Sequence, residues 1–308
     1  MGSTGRTKQH TANPEIKKLK SQKLLSWAFF IGPAFIFYLV IMLIPVLGAG
    51  YYSFTDWNGL SQTKNLVGLD NYVEAFKNDP DFRNSLWFTL KYTAVVLVLQ
   101  NVIALFLAVM IEARSRVKTF FRTVFFMPNM VSLIISAFMW TFIFTIVLPE
   151  LSKYGLSILN QGWLGDADVA FYSIIIVSLW RGIGYMMIIY IAALQGVPKQ
   201  LKEAAVIDGA SPVQNLLRVT IPMIMHAITI CVFLTLNEAF KVFDLVYGLT
   251  GGGPGRSTQV IALNIYDEAF SGNFRYGFAN AKAMILFGIV LVITFFQVTI
   301  MKGKEVES

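Results

Sequence analysis

Side chains able to do chemistry are few in this chain, and they fall in three places. The first is the run Ser178-Leu179-Trp180-Arg181-Gly182-Ile183-Gly184-Tyr185, where a single arginine stands among apolar residues. Arginine is costly to bury in such a run, so Arg181 either lines a polar pathway or pairs with a carboxylate or carbonyl that fixes packing. The second is Thr235-Leu236-Asn237-Glu238-Ala239-Phe240-Lys241. Thr235, Asn237 and Glu238 beside Phe240 offer polar groups for hydroxyls and an aromatic face for a sugar ring, although an interfacial helix end has the same composition. Trp180, Arg181, Tyr185, Asn237, Glu238 and Phe240 are therefore candidate walls of a substrate path. The third is the polar stretch containing Glu203, Ala204, Ala205, Asp208 and Gly209. Gln100 and Asn101, together in an apolar run, either bond across helices or face a cavity, and packing is the expected role.

Other chemistries lack their residues. A metal site needs several His, Cys or carboxylate ligands, and the chain has two histidines and one cysteine, Cys231. His226 and Cys231 read as isolated residues of an apolar segment. Catalytic triads fail for want of histidine, and no carboxylates pair in a recognisable cleft, so no catalytic residue, metal or cofactor is expected. The stretch Gly251–Thr258 faintly resembles a phosphate-binding loop, but Arg256 stands at the lysine position and Thr250 at the first glycine position. It reads as a turn-rich loop that binds no nucleotide.

The elements that must position these residues are apolar helices. Of 308 residues, 56% are hydrophobic and 14% charged, with a net charge of +7. A soluble domain carries about 25% charged residues. Six long runs, at about 24–51, 88–111, 123–148, 169–195, 219–238 and 283–301, each approach the roughly 20 residues that cross a bilayer. The first is too long for a secretory signal and contains Pro33 and Pro45. The reading is an all-α integral membrane protein: a tail over 1–23, a transmembrane domain over 24–301 and a tail over 302–308. The tails and the loops after the second and fourth runs hold 15 Lys/Arg against six acids, and the opposite segments nine against 12. Both termini are thus expected in the cytoplasm. The basic balance is a topology signal that orients the protein, and no nucleic-acid partner is expected.

The loop 198–222 has explicit punctuation. Pro198 suits a first helical turn, and Gly209 can take the left-handed conformation that ends a helix. Ser211 with Pro212 then opens a second short helix. Small side chains at Ala204 and Ala205 would let the first helix seat in a partner's groove, with Glu203 and Asp208 facing a cationic partner.

Glu203-Ala204-Ala205, Gly209 and Val219-Thr220-Ile221-Pro222, in this spacing, resemble the "EAA" signature of permease subunits of binding-protein-dependent ABC importers. Val219 and Ile221 stand where Ile and Leu are usual. Ala205–Ser211, Ser53–Trp57, Val67–Tyr72, Phe121-Arg122 with Phe126 and Pro128, and Leu249–Pro254 are similar to the carbohydrate-uptake branch, of maltose-transporter type. The resemblance covers all but the N-terminal tail. It implies the type I importer fold and a partnership with a second homologous permease, two cytoplasmic ATPases that bind the ATP, and an extracytoplasmic solute-binding protein. It also implies that 198–222 is the coupling loop docking on an ATPase, and that the protein sits in a bacterial cell membrane passing a sugar, of oligosaccharide size, by alternating access. The same importer class for glycerol-phosphate or a polyol is the main alternative. An ion-coupled secondary transporter or a membrane enzyme is less favoured.

Overall fold

The computed structural model describes residues 27, 29–112, 118–272, 274–303 and 305. The tail expected over 1–23 lies outside them. Twelve helices organise the described chain. They are α1 (Phe29–Tyr52), α2 (Asp70–Lys77), α3 (Pro80–Glu112), α4 (Lys118–Phe126), α5 (Leu133–Ser152) and α6 (Ala167–Gly196). There follow α7 (Lys199–Ile207), α8 (Pro212–Met223), α9 (Met225–Phe240), α10 (Asp244–Leu249), α11 (Ile261–Phe270) and α12 (Tyr276–Lys302). Five are long and apolar enough to cross a membrane, and there are six spans if the bent pair α8–α9 counts as one.

Prolines shape the spans. A widened π turn lies just ahead of Pro45 (Leu39–Leu43), of Pro149 (Ile143–Val147) and of Pro222 (Leu216–Thr220). Proline lacks an N–H and crowds the carbonyl four residues back, and a widened turn absorbs both effects. Two of the expected spans differ for this reason. The run at 123–148 is not one helix: α4 ends at Phe126, a 3-10 turn holds Pro128, and α5 starts at Leu133. The run at 219–238 is bent by 74° between α8 and α9, directly after Pro222.

Packing centres on α3 and α6, which lie against each other along their length, with α9 closing on both. One apolar cluster joins Ala104, Ala108, Met186, Met187, Tyr190, Ala227 and Cys231 from these three helices. A second gathers Phe88, Val96, Phe144, Phe171, Ile174, Val246 and Leu263, which brings in α5, α10 and α11. Alanine at 104 and 108 lets the helix backbones approach closely where lipid supplies no hydrophobic drive for association. The apolar stretch of α1 is not buried within the chain, and α1 runs along α12.

The loop between α1 and α2 is pinned by Asn71. Its amide donates to the carbonyls of Ser53 and Thr55, both at 2.9 Å. The glycine-rich loop after α10 is held by Thr258, whose hydroxyl donates to Gly253 O at 2.6 Å and lies 2.8 Å from that of Thr250. Arg256 reaches across to Asp81. The helix that follows, α11, has its first amide capped by Thr89 at 2.9 Å, so this loop is built as a structural turn.

Candidate functional site

Three helices present polar residues to one cavity of about 160 Å³, and each does so with helical spacing. Helix α3 supplies Tyr92, Val96 and Gln100; α6 supplies Ser178, Arg181 and Gly182; α9 supplies Thr235, Glu238 and Ala239. Residues three and four apart share a helix face, which is why these sets act together. Lys241, Phe243 and Asp244 close one end. Arg181 Nη1 donates to Glu238 Oε1 at 3.0 Å, so the cavity contains a charge-assisted hydrogen bond between α6 and α9. The arginine side chain is 17% exposed and the glutamate 51%. With Lys241 and Asp244 added, the cavity carries two cations and two carboxylates, a balanced set.

Polar groups also hold the walls together. The Tyr92 and Ser178 hydroxyls lie 2.8 Å apart, joining α3 to α6. Asn101 donates to Thr235 Oγ1 at 3.2 Å and accepts from the Tyr190 hydroxyl at 2.7 Å, so one amide fastens α3, α6 and α9. Asn101 therefore has the expected packing role. Gln100 points into the cavity.

The substrate-path candidates are distributed unevenly. Arg181 and Glu238 meet in the cavity. Trp180, a residue round the helix, packs edge-on against Trp140 of α5 at 5.5 Å. Tyr185 lies one turn further along α6, exposed and away from the cavity. Asn237 is turned to the opposite face of α9, where it lines an apolar groove with Phe233, Leu286 and Phe287 of α9 and α12. Phe240 is 2% exposed and buried in packing. Asn237 and Phe240 thus sit on other faces of α9 because successive helical residues turn by about 100°.

The loop candidates lie together on α7 and its C-terminal turn. Glu203, Ala204, Val206, Ile207, Asp208 and Gly209 are exposed and Ala205 is half-buried. Ala210 N donates to Ala205 O at 2.9 Å and Gly209 N to Val206 O at 3.0 Å, the two bonds of a Schellman ending. Gly209 takes φ +83°, which a side chain would oppose. Ser211 then caps α8 in a reciprocal capping box with Gln214. Asn215 donates to Lys202 O at 2.9 Å and ties α8 back to α7. At the base of this loop Glu112 joins three elements, meeting Lys118 at 2.7 Å, Arg122 at 3.4 Å and Gln195 at 3.2 Å. His226 meets Glu305 at 3.3 Å, and Cys231 is buried. Among the described residues no group of three His, Cys, Asp or Glu could hold a metal.

The bent pair α8–α9, the polar cavity at the α3–α6–α9 junction and the exposed α7–α8 hairpin between spans are the features of this site. Residues 100–303 match the family described as binding-protein-dependent transport system inner membrane components. The chain belongs to that family. Over 292 residues the permease is 39% identical to the probable starch degradation products transport system permease protein AmyD of Thermoanaerobacterium thermosulfurigenes, covering 94% of this chain and 99% of the relative. It is 34% identical to the multiple sugar-binding transport system permease protein MsmF of Streptococcus mutans, over 92% and 97% of the two chains. Its fold matches a chain of a bacterial ABC transporter that imports the acidic polysaccharide alginate, with a TM-score of 0.78 at 24% identity, over 94% and 99% of the chains. The permease is a multi-pass membrane protein and a non-catalytic transport component.

Of the cavity residues of the permease, Tyr92, Val96 and Ser178 carry no mark of their own in the sequence, and Gln100, expected in packing, lines the cavity instead. Tyr92, Val96 and Gln100 recur at intervals of four, and Ser178 stands three before Arg181. That periodicity was a readable signal, although within an apolar run it marks a face and not its neighbour. Lys241 and Asp244 flank a helix end and carried no signal beyond that.

Proposed function

We propose that this permease, with a second homologous permease subunit, forms the translocation path of an ATP-driven importer for an uncharged sugar of oligosaccharide size. The observation that carries this reading is the exposed α7–α8 hairpin. Val206 and Ile207 are 63% and 85% exposed beside the Glu203 carboxylate, on a helix whose ending and successor are fixed by backbone and capping bonds. Rigidly held apolar side chains turned outward suit a partner's cleft. Two cytoplasmic ATPases, which bind the ATP, would dock there. Glu203 would face a basic ATPase residue, Ala204 and Ala205 would form the seating surface, Asp208 would add charge and Gly209 would make the bend. The termini and this hairpin would then lie in the cytoplasm of a bacterial cell, with a solute-binding protein delivering substrate at the opposite end. Closure of the ATPases would move the spans between two arrangements, as nucleotide binding favours one of them.

Starch products and multiple sugars are the substrates in the names of the relatives, which supports a sugar. The balanced cavity supports an uncharged one. An anion such as glycerol phosphate would call for surplus positive charge, and Arg181 is already matched by Glu238. The test is uptake into proteoliposomes holding the full importer. Maltotriose should enter, sn-glycerol 3-phosphate should not, and vanadate should stop uptake while ionophores do not. Glu203→Arg should abolish uptake and ATPase association with the chain still in the membrane. Normal uptake by that variant, or ionophore-sensitive uptake by the wild type, would sink the proposal.

A further inference from the structure

One group in the cavity is left over by the packing. Gln100 is 3% exposed, yet its amide nitrogen has no hydrogen-bond partner among the described residues. Its chain neighbour Asn101 uses both ends of its amide on α6 and α9. A buried amide without a partner has given up its hydration for nothing, and native proteins rarely leave one so unless something else completes it.

The surroundings indicate what completes it. A Cβ at Gly182 would come within 2.6 Å of the Gln100 amide, so the missing side chain is what leaves room for that amide. Arg181 Nε, on the same turn of α6, also lacks a partner while its Nη1 is held by Glu238. An amide offers a donor and an acceptor side by side, and beside it stand a free guanidinium N–H and a half-exposed carboxylate. A hydroxyl both donates and accepts, so adjacent hydroxyls of a neutral sugar fit this set, whereas an apolar solute leaves it unsatisfied.

We infer that Gln100 is a substrate-contacting, specificity-determining residue of the path, its amide reading a sugar hydroxyl in space that Gly182 keeps open. This rests on the reading of the cavity as a sugar path. Gln100 belongs to α3, outside the two stretches in which the candidate wall residues lie.

The test uses the complete importer in proteoliposomes with its binding protein. The probe is whichever of maltotriose, raffinose and xylotriose the wild type carries fastest. Gln100→Met removes the donor at constant length, and Gln100→Glu replaces it with an acceptor. Both should lower uptake about tenfold, while binding-protein-stimulated ATP hydrolysis stays within about twofold, so that more ATP is spent per sugar. Gly182→Ala, which pushes the amide aside, should reproduce that split. Unchanged uptake in both Gln100 variants would overturn the assignment. So would a fall in uptake that merely tracks loss of assembled complex in all three variants, which is the signature of packing. Glu238→Gln in the same assay separates the two levels of the argument. If it alters uptake where the Gln100 variants do not, only the role of Gln100 fails; if neither alters it, the cavity is not the path.

Discussion

At the residue scale, Arg181 and Glu238 matter through each other. Each could be singled out in the sequence, Arg181 because it is the lone charge of its run and Glu238 because it ends one. Their pairing could not be read, since 57 residues separate them and nothing local points from one to the other. Arg181 admits two readings, a pathway group and a packing ion pair: the pair joins α6 to α9, and the same side chain lines the cavity proposed here as the path. Removing one partner leaves a membrane-level charge uncompensated, which costs more than removing both. Glu238→Gln and Arg181→Gln should therefore each reduce sugar uptake severalfold, and the double variant should recover part of the loss. A double-mutant cycle on initial uptake rates measures this, and strictly additive losses would refute the coupling. Glu238 is half-exposed, so solvent screening keeps the coupling modest.

At the element scale, helix ends were legible where their signals were chemical, and span interiors were not. Gly209, Ser211 and Pro212 announced the α7–α8 hairpin because only certain residues satisfy a left-handed turn and an N-cap. Pro128 and Pro222 were equally visible, but runs defined by absence of charge pass straight through a proline, and membrane helices tolerate proline when neighbours re-satisfy the backbone. Whether such a residue widens a turn, as before Pro45, or breaks the helix, as at Pro128, depends on what packs beside it. The hairpin yields its own prediction. Gly209→Val forces a branched side chain into φ +83° and disfavours the Schellman turn, at a cost of about 1–2 kcal/mol. Uptake and ATPase association should fall together. Gly209→Asn should do less harm, because asparagine tolerates this conformation better. Pull-down of the ATPase with each variant, at matched permease levels, checks the order Gly, Asn, Val.

At the scale of the whole molecule, hydrophobicity gave the spans, but what ties the far end of the bundle together is ionic. Lys282 of α12 is fully buried, with Asp79 at 2.7 Å, Glu268 at 2.8 Å and Asn264 at 3.0 Å. Next to it Arg275 meets Glu74 at 2.7 Å and Glu268 at 3.7 Å, so α2, the turn into α3, α11 and the start of α12 share one network. In the sequence Lys282 only marked where an apolar run begins. Its carboxylate partner Asp79 stands some two hundred residues earlier, which no pattern of spacing reveals. Burial alone would raise the Asp79 carboxyl, but the hydrogen bond and charge of Lys282, with the Phe82 amide, hold it below its ordinary 3.8. Hydrogen bonding by Glu74 outweighs burial at Arg275 and raises that guanidinium further. A lowered carboxyl contributes stability that is full above its unfolded value and is lost as pH falls through the folded one. The network should therefore hold unchanged from neutrality down to about pH 4 and weaken below it. Lys282→Met keeps the volume but leaves Asp79 and Glu268 without their shared cation, and breaking a buried pair from one side costs about 3–5 kcal/mol. The detergent-solubilised variant should unfold at a clearly lower temperature at pH 7. Adding Asp79→Asn should recover much of that loss, because the carboxylate at 2.7 Å from the lysine is then neutral while Glu268 keeps Arg275 at 3.7 Å. If Lys282→Met melts with the wild type, the far end of the bundle is held by its apolar contacts among Ala75, Phe82, Ile261 and Phe278, and the ions are incidental.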